Sequence, residues 1–381
     1  DINISTSRVT NLKAAKGFQE NLILFSENGQ FVLKGGDVLT PKTISISPVT
    51  NFSVDSDVDP IALGAYIYFP FTRSGFTGFR EFSINASTDV YDSTEITEHV
   101  PRYIPKDIIA FTGTTSEDTL AVVTDSERDT IYVYHYFYSG PKKLLSSWFK
   151  VKIQGEIRGC NFIKSDLHIV SVLNNETHIS TLSFSSGETD ENVDFNTHLD
   201  MRFYHKFTSA SNTLTIPYTP SDDTIDIYTT NGEKLQGSNT GNVFTFNTQV
   251  PQNTEVWGGI PYTMKYTFSE LVFKDSAGNN KTPSNSSRLM LKNGTIFYSD
   301  TSSFKVNVTP KGRNTSVNEY SSNQVGNTLN TYYAEDGAFR FPIFANAEDT
   351  TITLEDSSVF PVKVTSAEFE ALVKPRSKRI G

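Results

Sequence analysis

The sequence predicts an all-β protein: β-propeller-like blades first, then further antiparallel sheets of sandwich or barrel type. Three observations carry this. Aromatic residues make up 12% of the chain, with 28 Phe and 17 Tyr, while Met and Trp are scarce. That composition suits pleated, half-buried surface better than helix. Short apolar runs alternate with polar turns along most of the chain. A strand–turn–strand unit recurs roughly every 40–50 residues in the first half, the spacing of propeller blades.

The elements follow in order. Residues 1–20 are polar, with Lys13 and Lys16 in an expected short helix or arm. Leu22–Phe25 and Gln30–Leu33 form a first hairpin. Ala65–Phe69 and Phe79–Ile84 form a second, around a turn at Thr72–Gly75. Leu120–Val123 and Ile131–Tyr138 form a third around the acidic turn Asp125–Asp129, and Leu144–Ile153 returns beside it. Leu167–Leu173 and Thr177–Phe184 form a fourth around Asn174–Glu176. The strands starting near residues 22, 65, 120 and 167 are expected to be the inner ones. Four units are few for a closed ring, since roughly four to eight blades are typical.

The polar, acidic run 185–192 reads as a linker, so the chain divides into an arm (1–20), blades (21–186) and a second β-rich region (187–381). There the expected strands are Leu214–Tyr218, Asp226–Thr229, Val243–Asn247, Tyr262–Phe268 and Leu271–Lys274, the last leading into a turn at Asp275–Gly278. Arg288–Lys292, Thr295–Tyr298, Phe304–Val308, Phe339–Phe341 and Thr351–Leu354 follow. Thr309–Gly337 reads as a long polar loop, and such loops are usually functional or disordered. Ser366–Val373 has a helical look. The tail carries Lys374, Arg376, Lys378 and Arg379, which suit phosphates or an acidic partner as well as they suit solvent.

Charge and cysteine usage narrow the chemistry. The net charge of −10 opposes binding to nucleic acid and anionic membrane, yet suits a channel past which DNA must slide. The single cysteine, Cys160, allows neither an internal disulfide nor a cysteine metal site, and reads as a small buried residue. No apolar run reaches bilayer-spanning length. The six histidines (His99, His135, His168, His178, His198 and His205) show no close metal spacing. Asp55–Asp59 begins like a calcium loop, but Pro60 stands where the turn glycine belongs and Tyr66 where the closing glutamate belongs. Asp222, Asp223 and Asp226 fit turn chemistry. No nucleophile elbow, phosphate-cradling glycine loop, dinucleotide fingerprint or sialidase repeat is present. Trp148 and Phe149 fit an inter-sheet core or subunit interface better than a sugar platform. The sequence therefore supplies no catalytic, cofactor-binding or metal residue.

The run His99-Val-Pro-Arg-Tyr-Ile-Pro105, after Asp92-Ser-Thr-Glu-Ile-Thr97, resembles the tail nozzle protein (tail tubular protein B) of short-tailed bacteriophages, the podoviruses. An ordered set of further segments carries the same resemblance: Asn21–Leu33, Tyr66–Arg80, Leu199–Arg202, Tyr262–Leu271, Arg288–Leu291, Phe339–Pro342 with Asn346-Ala347, and Pro375–Gly381. The resemblance implies a non-enzymatic structural protein of the virion tail, assembled in the bacterial host cytoplasm. It implies a homohexameric tube beneath an adaptor ring, with tail fibres docked at the junction. Genomic DNA would pass its lumen without sequence-specific contacts, and no stable membrane insertion is expected. Family chains are longer, so the resemblance also implies a C-terminal portion whose remaining blades or domains precede Asp1. Thr309–Gly337 and Asn231–Asn242 are candidates for a lumen constriction. Two other classes compete: a propeller-based polysaccharide hydrolase, and a glycan- or receptor-binding module of a virion.

Overall fold

A computed structural model describes residues 11–35, 40, 43–54, 58–85, 90–140, 142–185, 193, 195–220, 225–272, 287–322 and 332–375. Strands dominate it, as the alternating pattern requires, and the chain divides into two units, Asp1–Ser186 and Gly187–Gly381.

In the first unit each sheet is a run of consecutive strands. Sheet one is β1 (Leu12–Phe18), β2 (Asn21–Ser26), β3 (Gly29–Lys34) and β4 (Ser45–Thr50). Sheet two is β5 (Ile61–Leu63), β6 (Tyr66–Arg73), β7 (Phe76–Asn85) and β8 (Val90–Glu95), with β9 (Ile104–Pro105) also on β7. Sheet three is β10 (Ile108–Thr114), β11 (Thr119–Thr124), β12 (Thr130–Ser139) and β13 (Lys142–Lys152). Sheet four is β14 (Glu156–Ile163), β15 (Asp166–Leu173) and β16 (Glu176–Ser183). All pairings are antiparallel, as short connections demand. The β6–β7 turn has positive φ at both Ser74 and Gly75, and the β15–β16 turn has it at Asn174 and Asn175. Turns of that hand match the twist of the strands they join.

The sheets stack face to face in chain order. Phe25 and Val32 of sheet one bury against Ile67, Phe69 and Phe82 of sheet two. Tyr68 and Phe79 bury against Leu120, Tyr132 and Tyr134 of sheet three. Val123, Ile131 and Val133 bury against Ile157, Leu167 and Ile169 of sheet four. Strands of neighbouring sheets touch along β1, β5, β10 and β14, and β4 also touches β8. The contact that runs through all four sheets is made by the first strand of each, one earlier than the strands the sequence pattern indicated. The apolar runs near 22, 65, 120 and 167 stand out because second strands are flanked on both edges, and those of the first three sheets are buried on both faces. Lys13 and Lys16, expected in an arm or helix, lie in β1, which pairs with β2 along Leu12–Phe18.

The second unit is wired non-locally. Its strands are β17 (Asp200–Lys206), β18 (Ser211–Thr215), β19 (Asp226–Thr229), β20 (Gly237–Thr240), β21 (Val243–Val250), β22 (Glu255–Ile260), β23 (Met264–Thr267), β24 (Ser287–Thr301), β25 (Ser303–Pro310), β26 (Ser316–Ser321), β27 (Glu335–Asn346), β28 (Thr350–Asp356) and β29 (Lys363–Pro375). Sheets β17-β22-β19 and β18-β21-β20 share a core around Ile227, Phe244 and Val256. Sheets β23-β28-β25-β26 and β27-β24-β29 share another around Ile296, Phe304, Val306 and Phe341.

Three expectations change here. Ser366–Val373 is strand, not helix. Ala367, Phe369 and Ala371 turn to the core while Glu368, Glu370 and Leu372 turn out, a period of two imposed by pairing with β24. Arg288–Lys292 and Thr295–Tyr298 are one strand: the chain runs straight through Asn293-Gly294, with a bulge at Lys292. Gly294 lies opposite Phe341, whose ring occupies the place of a Cβ. Gly78 and Phe71 repeat the device in β7 and β6. Thr309–Gly337 is not one long loop, because its first part is the β25–β26 hairpin. Residues 323–331 lie outside the described residues, as do Asp222, Asp223, Asp275–Gly278, Arg376, Lys378, Arg379 and most of the run 185–192.

Candidate functional site

A polar cluster is built on Glu81, between sheets two and three. β7 alternates, and Glu81 falls on the inward face with Phe79, so its carboxylate is only 6% exposed. A buried carboxylate demands donors. Tyr68 donates its hydroxyl to Glu81 Oε2 at 2.9 Å, Lys143 donates its ammonium to the same oxygen at 2.8 Å, and Tyr138 donates a short hydrogen bond to Oε1. Lys143 also reaches the Tyr134 hydroxyl at 3.3 Å, and Tyr66 stacks on Tyr138 at 4.9 Å. Burial, reinforced by Glu81, drives the Tyr68 and Tyr138 phenols far above their ordinary value. Burial likewise pushes Tyr136 up to about 12.

Beside the cluster is a shallow depression of about 280 Å³, lined by Thr94, Glu95, Ile96, Glu98, His99, Lys143 and Ser146. Glu95 is held by Arg73 and accepts from Thr97 at 3.3 Å. A general acid or base must be free to exchange a proton with a substrate. Glu81 is instead saturated by two phenols and an ammonium, so the arrangement works as a clamp joining β6 and β7 to β12 and β13. Sequence reasoning missed it. The available signal was a lone carboxylate on the apolar face of an alternating strand.

The other singled-out residues have structural partners. Trp148 donates to the Ile96 carbonyl at 3.0 Å and packs on Tyr134 and Phe79. His135 Nδ1 lies 3.2 Å from Thr119 Oγ1, and His168 Nδ1 lies 3.3 Å from Thr181 Oγ1. His178 faces Glu176 at 3.8 Å, and His205 meets Phe207 edge-on. The His198 backbone N–H donates to the Val359 carbonyl at 2.8 Å. Cys160 is half-buried rather than buried, and desolvation pushes its thiol up to about 12, away from the reactive thiolate. In the turn 125–129, Asp125 pairs with Arg128, Glu127 accepts from Tyr132 at 2.7 Å and Asp129 pairs with Lys152 at 3.2 Å. Asp59 pairs with Lys16 at 3.9 Å, while residues 55–57 lie outside the described residues. Asp226 pairs with Lys234 at 2.7 Å. No group of three or more His, Cys, Asp or Glu among the described residues could hold a metal ion.

In the second unit, the two segments expected to serve as loops meet at their bases. The Tyr332 N–H donates to the Asn231 carbonyl at 2.9 Å, and the Tyr332 ring stacks on Phe195 at 4.2 Å. Asn231–Asn242 is itself partly ordered as β20.

The profile of the family described as bacteriophage nozzle protein matches residues 1–380. The chain belongs to this family. It is also 25% identical over 413 residues to tail tubular protein gp12 of Escherichia phage T7, covering all of this chain and 51% of that protein. It thus spans about half the length of that curated relative. Nozzle family membership makes it a structural component of the virion tail. Among solved structures, the N-terminal domain of Nup159 is 10% identical over 90% of this chain and 75% of its own, with a TM-score of 0.26. An exo-β-1,3-galactanase from Phanerochaete chrysosporium is 11% identical over 96% and 82%, with a TM-score of 0.27. Likenesses this loose carry no argument about function. No helix among the described residues is long and apolar enough to cross a membrane.

Proposed function

We propose that six copies of the protein form a tube that holds the phage genome and then conducts it during ejection. The match to the nozzle family over residues 1–380 carries this reading. Residues 21–186 serve as the propeller-like body and 187–381 as the nozzle region. An adaptor ring and the tail fibres are its neighbours in the tail.

The physical chemistry supports the same reading. A wall under DNA pressure needs stiff sheets, and every core cluster here lies between sheets. A conducting surface must not grip phosphates, because each basic contact adds affinity. The chain has 43 acidic residues against 33 basic ones. Many exposed cations are paired on their own sheets, such as Lys305 with Glu319, Arg340 with Glu370 and Lys363 with Asp300. Asn231–Asn242 and Thr309–Gly337 are the lumen constriction in this proposal. Their shared root at Tyr332 lets one anchor set both.

Imaging of the intact protein with its tail partners tests the reading. Six-fold tubes are expected, and persistent monomers would overturn it. Replacing the exposed Glu233, Gln236 and Asn242 with alanine should let packaged DNA leak before infection; unchanged retention would remove that segment from the gate.

A further inference from the structure

Between sheets two and three runs a continuous row of oxidisable rings. Trp148 meets Tyr134 at 4.9 Å between ring centres, Tyr134 meets Tyr136 at 5.5 Å, and Tyr136 meets Tyr138 at 6.0 Å. Tyr138 then stacks on Tyr66 at 4.9 Å, with the ring planes 16° apart. The row starts at a partly buried indole and ends at two partly buried phenols. Packing explains why aromatic rings fill this space. It does not require that five successive rings all be tyrosine or tryptophan.

The far end of the row has a proton acceptor in place. Tyr138 donates a short hydrogen bond to Glu81 Oε1. A phenol that loses an electron becomes a strong acid, and a base already bonded to its proton lets electron and proton leave together. Glu81 is closed to an outside substrate, yet it already holds this proton in a hydrogen bond. Tyr68 donates to the other oxygen at 2.9 Å, but its ring is fully buried and fixed. Tyr66 and Tyr138 sit at the border of the core, where their rings can turn edge to edge.

We propose that Tyr66 and Tyr138 are an oxidative cross-linking site, joined as dityrosine by one-electron oxidants of the reactive-oxygen class. Trp148 gives an electron to the oxidant and regains one from Tyr134. The vacancy passes through Tyr136 to Tyr138, whose proton goes to Glu81. A second oxidation takes an electron from Tyr66, and its proton goes to solvent. The two radicals form one carbon–carbon bond between ring positions ortho to the hydroxyls. The hydrogens on those two carbons then move to the phenol oxygens. In all, two electrons and two protons leave, the oxidant takes up the electrons, and the product is two hydrogens lighter. The new bond staples β6 to β12, across the sheets that the Glu81 clamp already joins.

The second unit holds a comparison pair. Tyr298 and Tyr320 are closer, 4.4 Å between ring centres, and Tyr320 donates to Glu335 at 3.4 Å. Their ring neighbours are Phe304 and Phe339, which such oxidants leave untouched. Proximity alone favours this pair, whereas a feeding row favours Tyr66 with Tyr138.

The intact protein is illuminated with a ruthenium tris-bipyridine complex and persulfate, digested, and its peptides are weighed. Peptides carrying Tyr66 and Tyr138 should appear joined, two hydrogens lighter than their sum, and in excess over a Tyr298–Tyr320 product. No such product, an equal or larger Tyr298–Tyr320 yield, or dityrosine only between copies (read by mixing isotopically labelled protein) would overturn the proposal. Glu81→Gln should lower the Tyr66–Tyr138 yield on the order of 10-fold. Trp148→Phe, which keeps a ring in the core, should at least halve it. Tyr298–Tyr320 coupling should not change in either variant. A Tyr66–Tyr138 yield unmoved by both substitutions would remove the row and its proton acceptor, and the proposal with them.

Discussion

Both units are stacks of antiparallel sheets, yet they are wired differently. In the first, sheets three and four are β10-β11-β12-β13 and β14-β15-β16, each strand beside its neighbour in sequence. In the second, β17 pairs with β22, β28 lies between β23 and β25, and β24 is flanked by β27 and β29. The first unit is therefore assembled from local contacts. The second closes long loops before its sheets gain anything, which costs entropy and slows folding. Each unit holds one tryptophan, Trp148 in the first and Trp257 in the second, so the two can be followed separately.

The largest test of the comparison is Phe341→Ala, which empties the core shared by the last two sheets. The Trp257 unfolding transition should lose about 3–5 kcal/mol, while Trp148 reports no change. Coincident shifts would show that the units unfold as one. Next come the paired glycines. Gly294→Val drives a side chain into Phe341, and Gly78→Val drives one into Phe71. Each should cost about 1–3 kcal/mol, with Gly294→Val seen by Trp257 and Gly78→Val by Trp148.

Glu81→Gln keeps the shape of the clamp and removes its charge. A loss of about 1–2 kcal/mol in the Trp148 transition is expected from weakened charge-assisted bonds. No loss would mean the sheets hold without the clamp. Alkaline titration probes the same region. The Tyr136 phenol is raised by burial from 10.0 to about 12. It therefore favours the folded state fully below pH 10, and that support is lost as pH rises toward 12. Tyrosinate absorbance should show these phenols ionising only with unfolding; free titration near pH 10 would refute their burial. The smallest effect is Lys152→Ala. Its partner Asp129 is half exposed, so the change should stay under about 0.5 kcal/mol by urea denaturation.

The hairpins of the first unit were legible because a strand, its turn and its partner lie within about twenty residues. The inter-sheet placement of Trp148 and the polar turn at Asp125–Asp129 were legible too, while the ion pairs of that turn were not. The Glu81 clamp was not. Its members at 68, 81, 138 and 143 come from two sheets, and no local pattern joins them. Ser366–Val373 misled because Ala, Glu and Leu favour helix when only neighbours are counted. Its pairing with β24 brings in partners some seventy residues earlier, such as Ile296 opposite Ala367.

By itself, the sequence determined an all-β chain, the run of consecutive hairpins in its first unit and its membership of the nozzle family. Alternation and turn residues act over a few positions, and they are written in order along the chain. Only the tertiary structure decided which strands carry the contact from sheet to sheet and which carboxylate is buried. Those outcomes depend on which faces meet, and each meeting is a sum of weak contacts between residues distant in sequence.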